Sequence, residues 1–287
     1  MKTEMPTRSV DSDIEERRTV EIDGRSISYK ISGSGPPLVF WHGWIGHEDT
    51  FGLCHEGFAD HFTVYRPAWP GYSKSEPMPG FSIQDFIDLG KKFFDKLGLK
   101  DITLFGNCLG GNVAMEFARQ YPDYLKRLVL IEVHAYFPKY LYLFLIPVIG
   151  PIIYSLVFKN MTGFNLINNF MPIQAKLEDD WPYVWEGFER TPVKSSLGFL
   201  KAIENFAKNK FGEYLDTYRV DIPTIYVKGG KSFGPIGEFS NHVSTYYKNL
   251  TTVSIPEGEH NPVCEVPDIF NERVLAAMGY RYRNTAD

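Results

Sequence analysis

The residue with the clearest chemical context is Cys108, in the segment Gly106–Gly111 (Gly-Asn-Cys-Leu-Gly-Gly). The segment follows an apolar run, Ile102–Phe105, that predicts a buried strand, and it precedes a run with helical periodicity. A sharp strand-to-helix turn requires small residues two positions before and two positions after its centre, and Gly106 and Gly110 meet that requirement. The first N–H groups of such a helix favour the thiolate, which is the nucleophilic form. The alternative interpretation is a small buried cysteine in a glycine-rich turn.

Around this turn, short apolar runs typical of strands alternate with longer runs of helical periodicity. The clearest helix covers 83–97, with Ser82 as the expected N-cap and Gly98 as the expected C-terminal stop. The alternation predicts an α/β fold, a mostly parallel, doubly wound sheet of eight strands with helices on both faces. The predicted strands are Thr19–Ile22, Ser26–Ile31, Leu38–Trp41, Phe62–Tyr65, Ile102–Phe105, Leu128–Ile131, Thr224–Val227 and Thr251–Ile255. The further predicted helices are Leu109–Tyr121, Leu197–Lys208, Phe239–Tyr247 and Val266–Met278.

The same alternation divides the chain into four parts. Residues 1–18 predict a solvated polar tail, and residues 19–134 and 196–287 supply the two parts of the α/β core. Between them, residues 135–195 are rich in aromatic residues, Asn and Pro, and they interrupt the pattern. We interpret this stretch as a helical lid that is inserted after the sixth strand.

Within the insertion, Tyr140–Phe158 contains 19 residues without a charge. That length just suffices to span a bilayer, but Pro147, Gly150 and Pro151 interrupt its middle, and the segment falls between two strands of one sheet. We therefore predict two short apolar helices, hinged at Pro147–Pro151, that pack over the active site. So many apolar side chains predict an apolar pocket or an exposed apolar patch. We therefore also predict a lipophilic substrate and loose contact with membrane surfaces.

From about residue 19 to residue 280, the chain resembles the α/β-hydrolase superfamily. Beside the turn at Cys108, three motifs in the family's order and spacing carry the resemblance. Phe40–Trp44 is similar to the family's His-Gly motif, Ala68–Ser75 resembles the turn after the next strand, and Gly258–Pro267 resembles the C-terminal histidine loop. Most relatives have Ser at the position of Cys108. The cysteine-containing turn resembles that of dienelactone hydrolases and polyhydroxyalkanoate synthases.

The resemblance implies that His260 is the base that acts on Cys108. His260 lies between the predicted strand Thr251–Ile255 and the last helix, a position from which an imidazole can take the thiol proton and later protonate the leaving group. Among the other histidines, His42 in the His-Gly pair is expected to be structural. His134 lies just past a strand end and is a candidate for the substrate pocket.

The acidic partner of the base departs from the usual family pattern. Relatives usually carry Asp after the next-to-last strand, where this chain has Ser232. Glu132 ends the preceding strand, a place where some α/β-hydrolases, including a subset of haloalkane dehalogenases, carry their acid. A carboxylate there can accept the imidazole N–H and fix its tautomer. We expect Glu132 to be the acid, with Glu238 or no acid at all as the alternatives.

The oxyanion hole is expected from backbone N–H groups. One donor is the N–H of Leu109, directly after the nucleophile, and the second is the N–H of Trp44 in the loop after the His-Gly pair. Trp44 would also cover the acyl site as a pocket residue. Metal-ligand spacings and phosphate-binding glycine loops do not occur, so we expect neither a metal nor a cofactor.

Composition excludes several classes of protein. The 287 residues are 44% hydrophobic and 23% charged, which fits a globular protein rather than a disordered one. The net charge of −5 gives no electrostatic reason to bind nucleic acid. Three widely spaced cysteines do not suggest disulfides, and the polar start lacks the apolar stretch of a signal peptide. We therefore expect a cytoplasmic location.

The leading hypothesis is a hydrolase of carboxylic esters or thioesters that uses a Cys108–His260–Glu132 triad and a covalent acyl-enzyme. In that hypothesis the partner is a small-molecule ester or thioester. One alternative is an acyltransferase with the same residues. The other is a ligand-binding protein without catalytic activity, in which Cys replaced a former Ser.

Overall fold

A computed structural model of the chain describes residues 15–283, apart from residues 45, 79, 81, 161, 164–165, 167–188, 218–219 and 231–233. Much of the predicted lid therefore lies outside the described residues. The first strand begins at Glu15 and pairs along its whole length, from Glu15 opposite Ser32 to Ile22 opposite Arg25. Residues 15–18 of the predicted tail thus belong to the sheet, because this ladder binds their backbone groups.

The eight strands form one sheet in the order β1-β2-β4-β3-β5-β6-β7-β8. The pairs β1–β2 and β2–β4 are antiparallel, and the other pairs are parallel. The prediction of a mostly parallel, eight-stranded α/β sheet is confirmed, with one observed strand for each predicted strand. The strands are β1 Glu15–Ile22, β2 Arg25–Ser32, β3 Pro37–Trp41, β4 Thr63–Pro67, β5 Ile102–Asn107, β6 Leu125–Ile131, β7 Thr224–Gly229 and β8 Leu250–Ile255.

Helices connect the strands and cover both faces of the sheet. The described α-helices are α1 His55–Ala59, α2 Ile83–Leu97, α3 Leu109–Gln120, α4 Ile149–Phe158, α5 Val193–Thr217, α6 Gly234–Tyr246, α7 Pro262–Glu265 and α8 Pro267–Met278. Short 3-10 helices occur at Glu48–Phe51, Pro122–Tyr124 and Lys139–Leu145.

Helix α2 has the ends that its sequence predicts. The Ser82 side chain accepts the backbone N–H of Asp85, and the Asp85 carboxylate accepts the backbone N–H of Ser82. This reciprocal arrangement is a capping box. At the other end Gly98 adopts a left-handed conformation with φ 65°, and its N–H donates to the carbonyl of Asp95.

Successive side chains of the central strand enter two separate cores. Leu104 packs in the cluster that contains Phe86 of α2 and Val113 of α3. Its neighbour Phe105 packs in the cluster that contains Phe58 of α1. Side chains alternate across a strand, so an entirely apolar run is buried on both faces. The parallel strands also end at one edge, where their loops bring distant residues together.

The segment after β6 contains a 3-10 helix, Lys139–Leu145, and helix α4, with an angle of 111° between them. Pro147 lies in the break, whereas Pro151 lies inside the first turn of α4. A proline is tolerated there because the first turn uses few of its N–H groups. The break is therefore narrower than the predicted hinge at Pro147–Pro151.

Within the described ranges, no single helix combines the length and the apolar character needed to cross a membrane. The bent pair of helices at 139–158 meets that criterion only when the two are taken together, by length and composition. Helix α5 extends beyond its predicted bounds in both directions. It begins at Val193, directly after Pro192, so its first turn belongs to the stretch that the sequence assigns to the insertion.

Candidate active site

Cys108 occupies a strained turn between β5 and α3. Its φ of 52° and ψ of −126° lie outside the regions that residues other than glycine normally adopt. The backbone N–H of Cys108 donates to the carbonyl of Ile131 at 2.8 Å, which ties the turn to β6. The sulfur thereby projects at the carboxyl edge of the sheet, from the residue that caps helix α3.

The glycines beside Cys108 leave no room for side chains. A Cβ atom at Gly106 would lie 2.7 Å from the Cβ of Ala114, and one at Gly110 would lie 2.3 Å from the carbonyl oxygen of His42. Both distances are far below contact distance, so the two positions require glycine, as the sequence predicts for a turn of this kind.

The loop after β3 lies directly against the thiol. A Cβ at Gly43 would come within 2.9 Å of the Cβ of Cys108. His42 holds this loop, since its Nδ1 donates to the carbonyl of Gly43 at 2.9 Å and its Nε2 accepts the N–H of Trp69 at 3.1 Å. Burial lowers the pKa of His42 to about 3, so the ring stays neutral and plays the structural part that the sequence predicts.

Glu132 and His260 meet at the same edge. His260 Nδ1 lies 3.6 Å from Oε2 of Glu132, whose side chain is completely buried. The other carboxylate oxygen, Oε1, accepts the N–H of Gly229 at 2.7 Å. Because Nδ1 faces the carboxylate, Nε2 is the ring nitrogen that faces the thiol. Burial opposes the imidazolium, but the Cys108 thiolate and then Glu132 raise the pKa of His260 to about 10.

Three polar side chains that the sequence analysis did not identify hold the loop of His260. The Asn107 amide donates to Oδ1 of Asn261 at 3.1 Å and so joins the turn of Cys108 to this loop. The Glu265 carboxylate accepts the backbone N–H of Asn261 at 2.8 Å and also that of Glu259. A signal was present, because Asn107 and Asn261 immediately flank the predicted nucleophile and the predicted base.

A second imidazole contacts the thiol. His134 Nδ1 lies 3.8 Å from Sγ of Cys108, and the side chain is 3% exposed. The rings of His134 and His260 have centroids 5.8 Å apart and are nearly perpendicular, at 85°. The Asn112 amide fixes the backbone of this histidine by donating to the carbonyl of His134 at 2.9 Å. The sequence places His134 near the pocket mouth, whereas the structure places it against the reactive sulfur.

The two imidazoles determine the ionisation of Cys108. Partial burial of the thiol opposes thiolate formation, but His134 and then His260 outweigh it through charge and hydrogen bonding. Together they lower the pKa of Cys108 to about 5. The depressed thiol pKa and the raised pKa of His260 describe a thiolate–imidazolium pair at neutral pH. All three cysteines are free, and burial raises the pKa of Cys54 far above its ordinary range.

The two residues predicted for the oxyanion hole both adjoin the turn of Cys108. Leu109 follows it directly, and Trp44 follows Gly43, where a Cβ would lie 2.9 Å from the Cβ of Cys108. Leu109 opens helix α3, so its N–H is among those that the helix itself does not use. The Trp44 indole is held in place, because its Nε1 donates to Oγ of Ser196 at 2.7 Å and its ring packs edge-on against Phe158. The segment 139–158 and α5 therefore position the loop that carries the second predicted donor.

The structure does not bring the alternative acid to the site. Glu238 lies on α6, half exposed, where its Oε1 is 3.5 Å from Nδ1 of His242 on the same helix. Ser232, at the usual position of the family's Asp, lies outside the described residues. Among the residues that the structure describes, no three His, Cys, Asp or Glu side chains form a group that could hold a metal ion.

The chain belongs to the α/β-hydrolase family. The family model described as "alpha/beta hydrolase fold" matches residues 36–263. A soluble epoxide hydrolase of Corynebacterium sp. (strain C12) is 32% identical over 112 residues, which are 39% of each protein. A pimeloyl-[acyl-carrier protein] methyl ester esterase of Chromobacterium violaceum is 32% identical over 99 residues, 34% of this chain and 37% of that enzyme. These alignments span well under half the length of either relative.

Solved structures resemble the chain over most of its length. The epoxide hydrolase VrEH1 from Vigna radiata superposes with a TM-score of 0.77 at 15% sequence identity, covering 93% of this chain and 99% of that protein. At this level of identity the likeness concerns the fold. The chemistry must be argued from the side chains of the site itself.

Proposed function

We propose that this protein is a thiol-dependent hydrolase that cleaves a carboxylic ester or thioester of a lipophilic substrate through an acyl-enzyme on Cys108. The observation that carries the proposal is the thiol at the strained turn, whose pKa of about 5 makes it a thiolate at neutral pH. A thiolate beside an imidazolium is the activated form of a cysteine nucleophile.

In the first half-reaction, Sγ of Cys108 attacks the carbonyl carbon of the substrate. The carbonyl oxygen becomes an oxyanion and accepts hydrogen bonds from the N–H groups of Leu109 and Trp44. The tetrahedral intermediate collapses, the bond to the leaving group breaks, and the His260 imidazolium protonates the departing alkoxide or thiolate. Glu132 keeps the imidazole in the tautomer and orientation that this transfer requires.

In the second half-reaction, water attacks the thioester carbonyl while an imidazole of the site takes one of its protons. The intermediate collapses, the C–S bond breaks, and Cys108 leaves as a thiolate. The carboxylic acid departs, and the proton taken from water replaces the one that His260 gave to the leaving group.

The similarity to the methyl ester esterase supports ester cleavage, and the epoxide hydrolases in the same family offer a different chemistry. Epoxide-opening relatives use a carboxylate at the turn, where this chain has Cys108. A thiolate that attacked an epoxide would give a stable thioether, which water does not cleave. Turnover with Cys108 therefore requires an acyl group or a similarly cleavable electrophile.

The experiment that tests the proposal is intact-protein mass spectrometry after addition of p-nitrophenyl butyrate. We expect one butyryl group on Cys108 and none in Cys108→Ala. The other two cysteines serve as internal controls, because both are buried in the core. Turnover without an adduct, or an adduct on another residue in both proteins, would refute the role of Cys108.

The same experiment separates the alternatives. Adding an alcohol or an amine to the acylated protein would yield a new ester or amide if the protein is an acyltransferase. Water alone releases butyrate if it is a hydrolase. A protein that binds the ester without acylation would be a ligand-binding member of the family.

A lipophilic substrate is supported by a groove of about 520 Å³ between the segment 139–158 and the start of α5. Its lining is apolar, apart from Lys194 and Lys201. Phe144 lines this groove and also packs against Trp44, with ring centroids 6.2 Å apart. The ring of Phe144 thus connects the groove to the loop of Trp44 beside the thiol, and we propose that the groove holds the acyl chain.

The outer face of α4 supports contact with a membrane surface. Ile149, Ile152 and Leu156 form an exposed stripe at helical spacing, and the 3-10 helix adds exposed Leu143. The opposite face of α4 is also apolar and is buried, so this helix is apolar all round. Exposed Lys139 and Lys194 accompany the patch, which suits an anionic lipid surface. We propose that the patch rests on lipid and that substrate enters from there.

A further inference from the structure

The thiol of Cys108 has two imidazoles, although one base is enough to activate a cysteine. His260 faces the carboxylate of Glu132, with Nδ1 and Oε2 3.6 Å apart. His134 reaches Sγ through its own Nδ1 at 3.8 Å. Its ring is nearly perpendicular to that of His260, with the ring centroids 5.8 Å apart, so one sulfur has two separate imidazoles beside it.

The position of His134 is fixed as firmly as that of the predicted base. The side chain is 3% exposed, and Asn112 in the first half of α3 anchors its carbonyl at 2.9 Å. The preceding Val133 packs on the turn itself, since a Cβ at Gly111 would lie 2.4 Å from Cγ2 of Val133. A buried imidazole locked against a reactive sulfur is placed to exchange protons with whatever is bonded to that sulfur.

The protons that move in the two half-reactions give the imidazoles of His260 and His134 different tasks. In the acyl-enzyme, Sγ is bonded to the acyl carbon, so Nδ1 of His134, 3.8 Å from Sγ, lies close to the carbon that water must attack. His260 holds the proton that the leaving group needs. His134 gives up no proton in that step, and as the second imidazole beside the sulfur it is placed to receive one from the acyl acceptor.

We infer that His134 is a second catalytic acid–base, which deprotonates the acyl acceptor in the second half-reaction, while His260 serves the leaving group in the first. This inference rests on the proposed acyl-enzyme. As the oxygen of water bonds to the thioester carbon, one water proton moves to His134. The resulting imidazolium faces Sγ and stabilises the thiolate as the C–S bond breaks. The carboxylic acid carries the other water proton, and His134 returns its proton to His260, which restores the starting state.

The test isolates the second half-reaction. Wild type and His134→Gln are acylated with p-nitrophenyl butyrate, excess ester is removed, and the loss of the butyryl mass from Cys108 is followed with time. We expect the acyl-enzyme of His134→Gln to decay about 10²-fold more slowly, the usual effect of removing a general base. His242→Gln, an exposed histidine on α6, is the matched control and should decay like wild type.

A second readout distinguishes catalysis from support of the structure. Hydroxylamine attacks a thioester with little need for a base, so it should remove the butyryl group from wild type and from His134→Gln at similar rates. Decay of the His134→Gln acyl-enzyme in water at the wild-type rate would overturn the inference. It would leave the imidazole only the task of stabilising the thiolate before acylation.

Two further outcomes keep the inference separate from the proposed function. If wild type forms no adduct on Cys108, the acyl-enzyme itself is refuted. If His134→Gln does not fold by circular dichroism, His134→Asn takes its place, since the shorter amide fits the same space. A slow water reaction combined with a normal hydroxylamine reaction in either variant supports the second acid–base.

Discussion

Two regions of this molecule break the usual rule of burial in opposite ways. At the carboxyl edge of the sheet, ionisable side chains are buried: Glu132, His134 and His42 are 0%, 3% and 1% exposed. In the segment 139–158, apolar side chains face outward, and Val148 and Leu156 are 77% and 63% exposed. Buried ionisable groups cost free energy unless they are paired, and exposed apolar patches usually mark a contact surface.

The difference shows how each region is stabilised. Each buried ionisable group at the edge has a partner of defined geometry: Gly229 for Glu132, Trp69 for His42, and the thiol for His134. The outward face of α4 is apolar, and its inner face packs on the protein through residues such as Tyr154 and Phe158. The ionisable groups at the edge are therefore stabilised inside the protein, whereas the exposed apolar patch fits the membrane contact that we propose.

The largest effect is expected from His260→Ala, which removes the imidazolium from the ionisable side chains at the carboxyl edge of the sheet. Turnover should fall by about 10⁴-fold or more, as when a triad base is removed. Alkylation of Cys108 by iodoacetamide at neutral pH should also slow, because the imidazolium stabilises the thiolate. Unchanged alkylation kinetics in this variant would exclude His260 from the site.

The pH dependence of alkylation tests the direction in which His260 shifts the pKa of Cys108. The pKa of Cys108 is depressed to about 5, so in wild type the thiolate is lost only as the pH falls through about 5. In His260→Ala the midpoint should move upward, toward the ordinary thiol pKa of about 8.5. Alkylation rates measured between these values separate the two proteins, and Cys108→Ala supplies the background from Cys54 and Cys264.

A smaller loss is expected from Glu132→Gln. The amide keeps the shape of the side chain but removes the charge that orients His260, so kcat should fall by about 10²-fold while the fold is preserved. Glu238→Gln is the matched control, because Glu238 is half exposed and pairs only within α6. If the control variant loses activity and Glu132→Gln does not, the acid has been assigned to the wrong strand.

The sequence predicts the strands, turns and helix caps that form the carboxyl edge of the sheet far better than it predicts the side-chain contacts between the loops there. All eight strands, the turn at Cys108 and the caps of α2 follow from local patterns of apolar residues, glycine and capping side chains. The bond from Asn107 to Asn261 joins residues 154 positions apart, so no local pattern predicts it. The contact of His134 with the thiol depends likewise on the register between β5 and β6.

The segment 139–158 was predictable in composition but not in orientation. Prolines and the absence of charge predict two short apolar helices, and the structure has two. Which apolar side chains face the protein depends on Trp44 and Ser196, which lie far away in the chain. In a helix that is apolar all round, no amphipathic pattern distinguishes the inner face from the outer.

A moderate, substrate-dependent effect is expected from Leu197→Trp. Leu197 lines the groove between the segment 139–158 and α5, so a larger ring should obstruct an acyl chain there. We expect kcat/KM to fall by about tenfold for p-nitrophenyl octanoate and to stay unchanged for the acetate. Acetate serves as the control within the same protein. Equal losses with both esters would show that the variant damages the site in general, and no loss would place the acyl chain elsewhere.

The smallest effect is expected from Ile152→Gln on the outer face of α4. If this side chain rests in lipid, its removal costs about 1.5 kcal/mol of burial, or about tenfold in vesicle affinity. The measurement is sedimentation with vesicles of phosphatidylcholine alone and with added phosphatidylglycerol. The matched control is Thr252→Gln, at an exposed position of β8. Turnover of p-nitrophenyl acetate should not change, because Ile152 is exposed on α4, whereas the contacts with Trp44 come from Tyr154 and Phe158 of that helix. If the wild-type protein prefers the acetate to longer acyl esters and binds neither kind of vesicle, both the membrane contact and the lipophilic substrate are refuted.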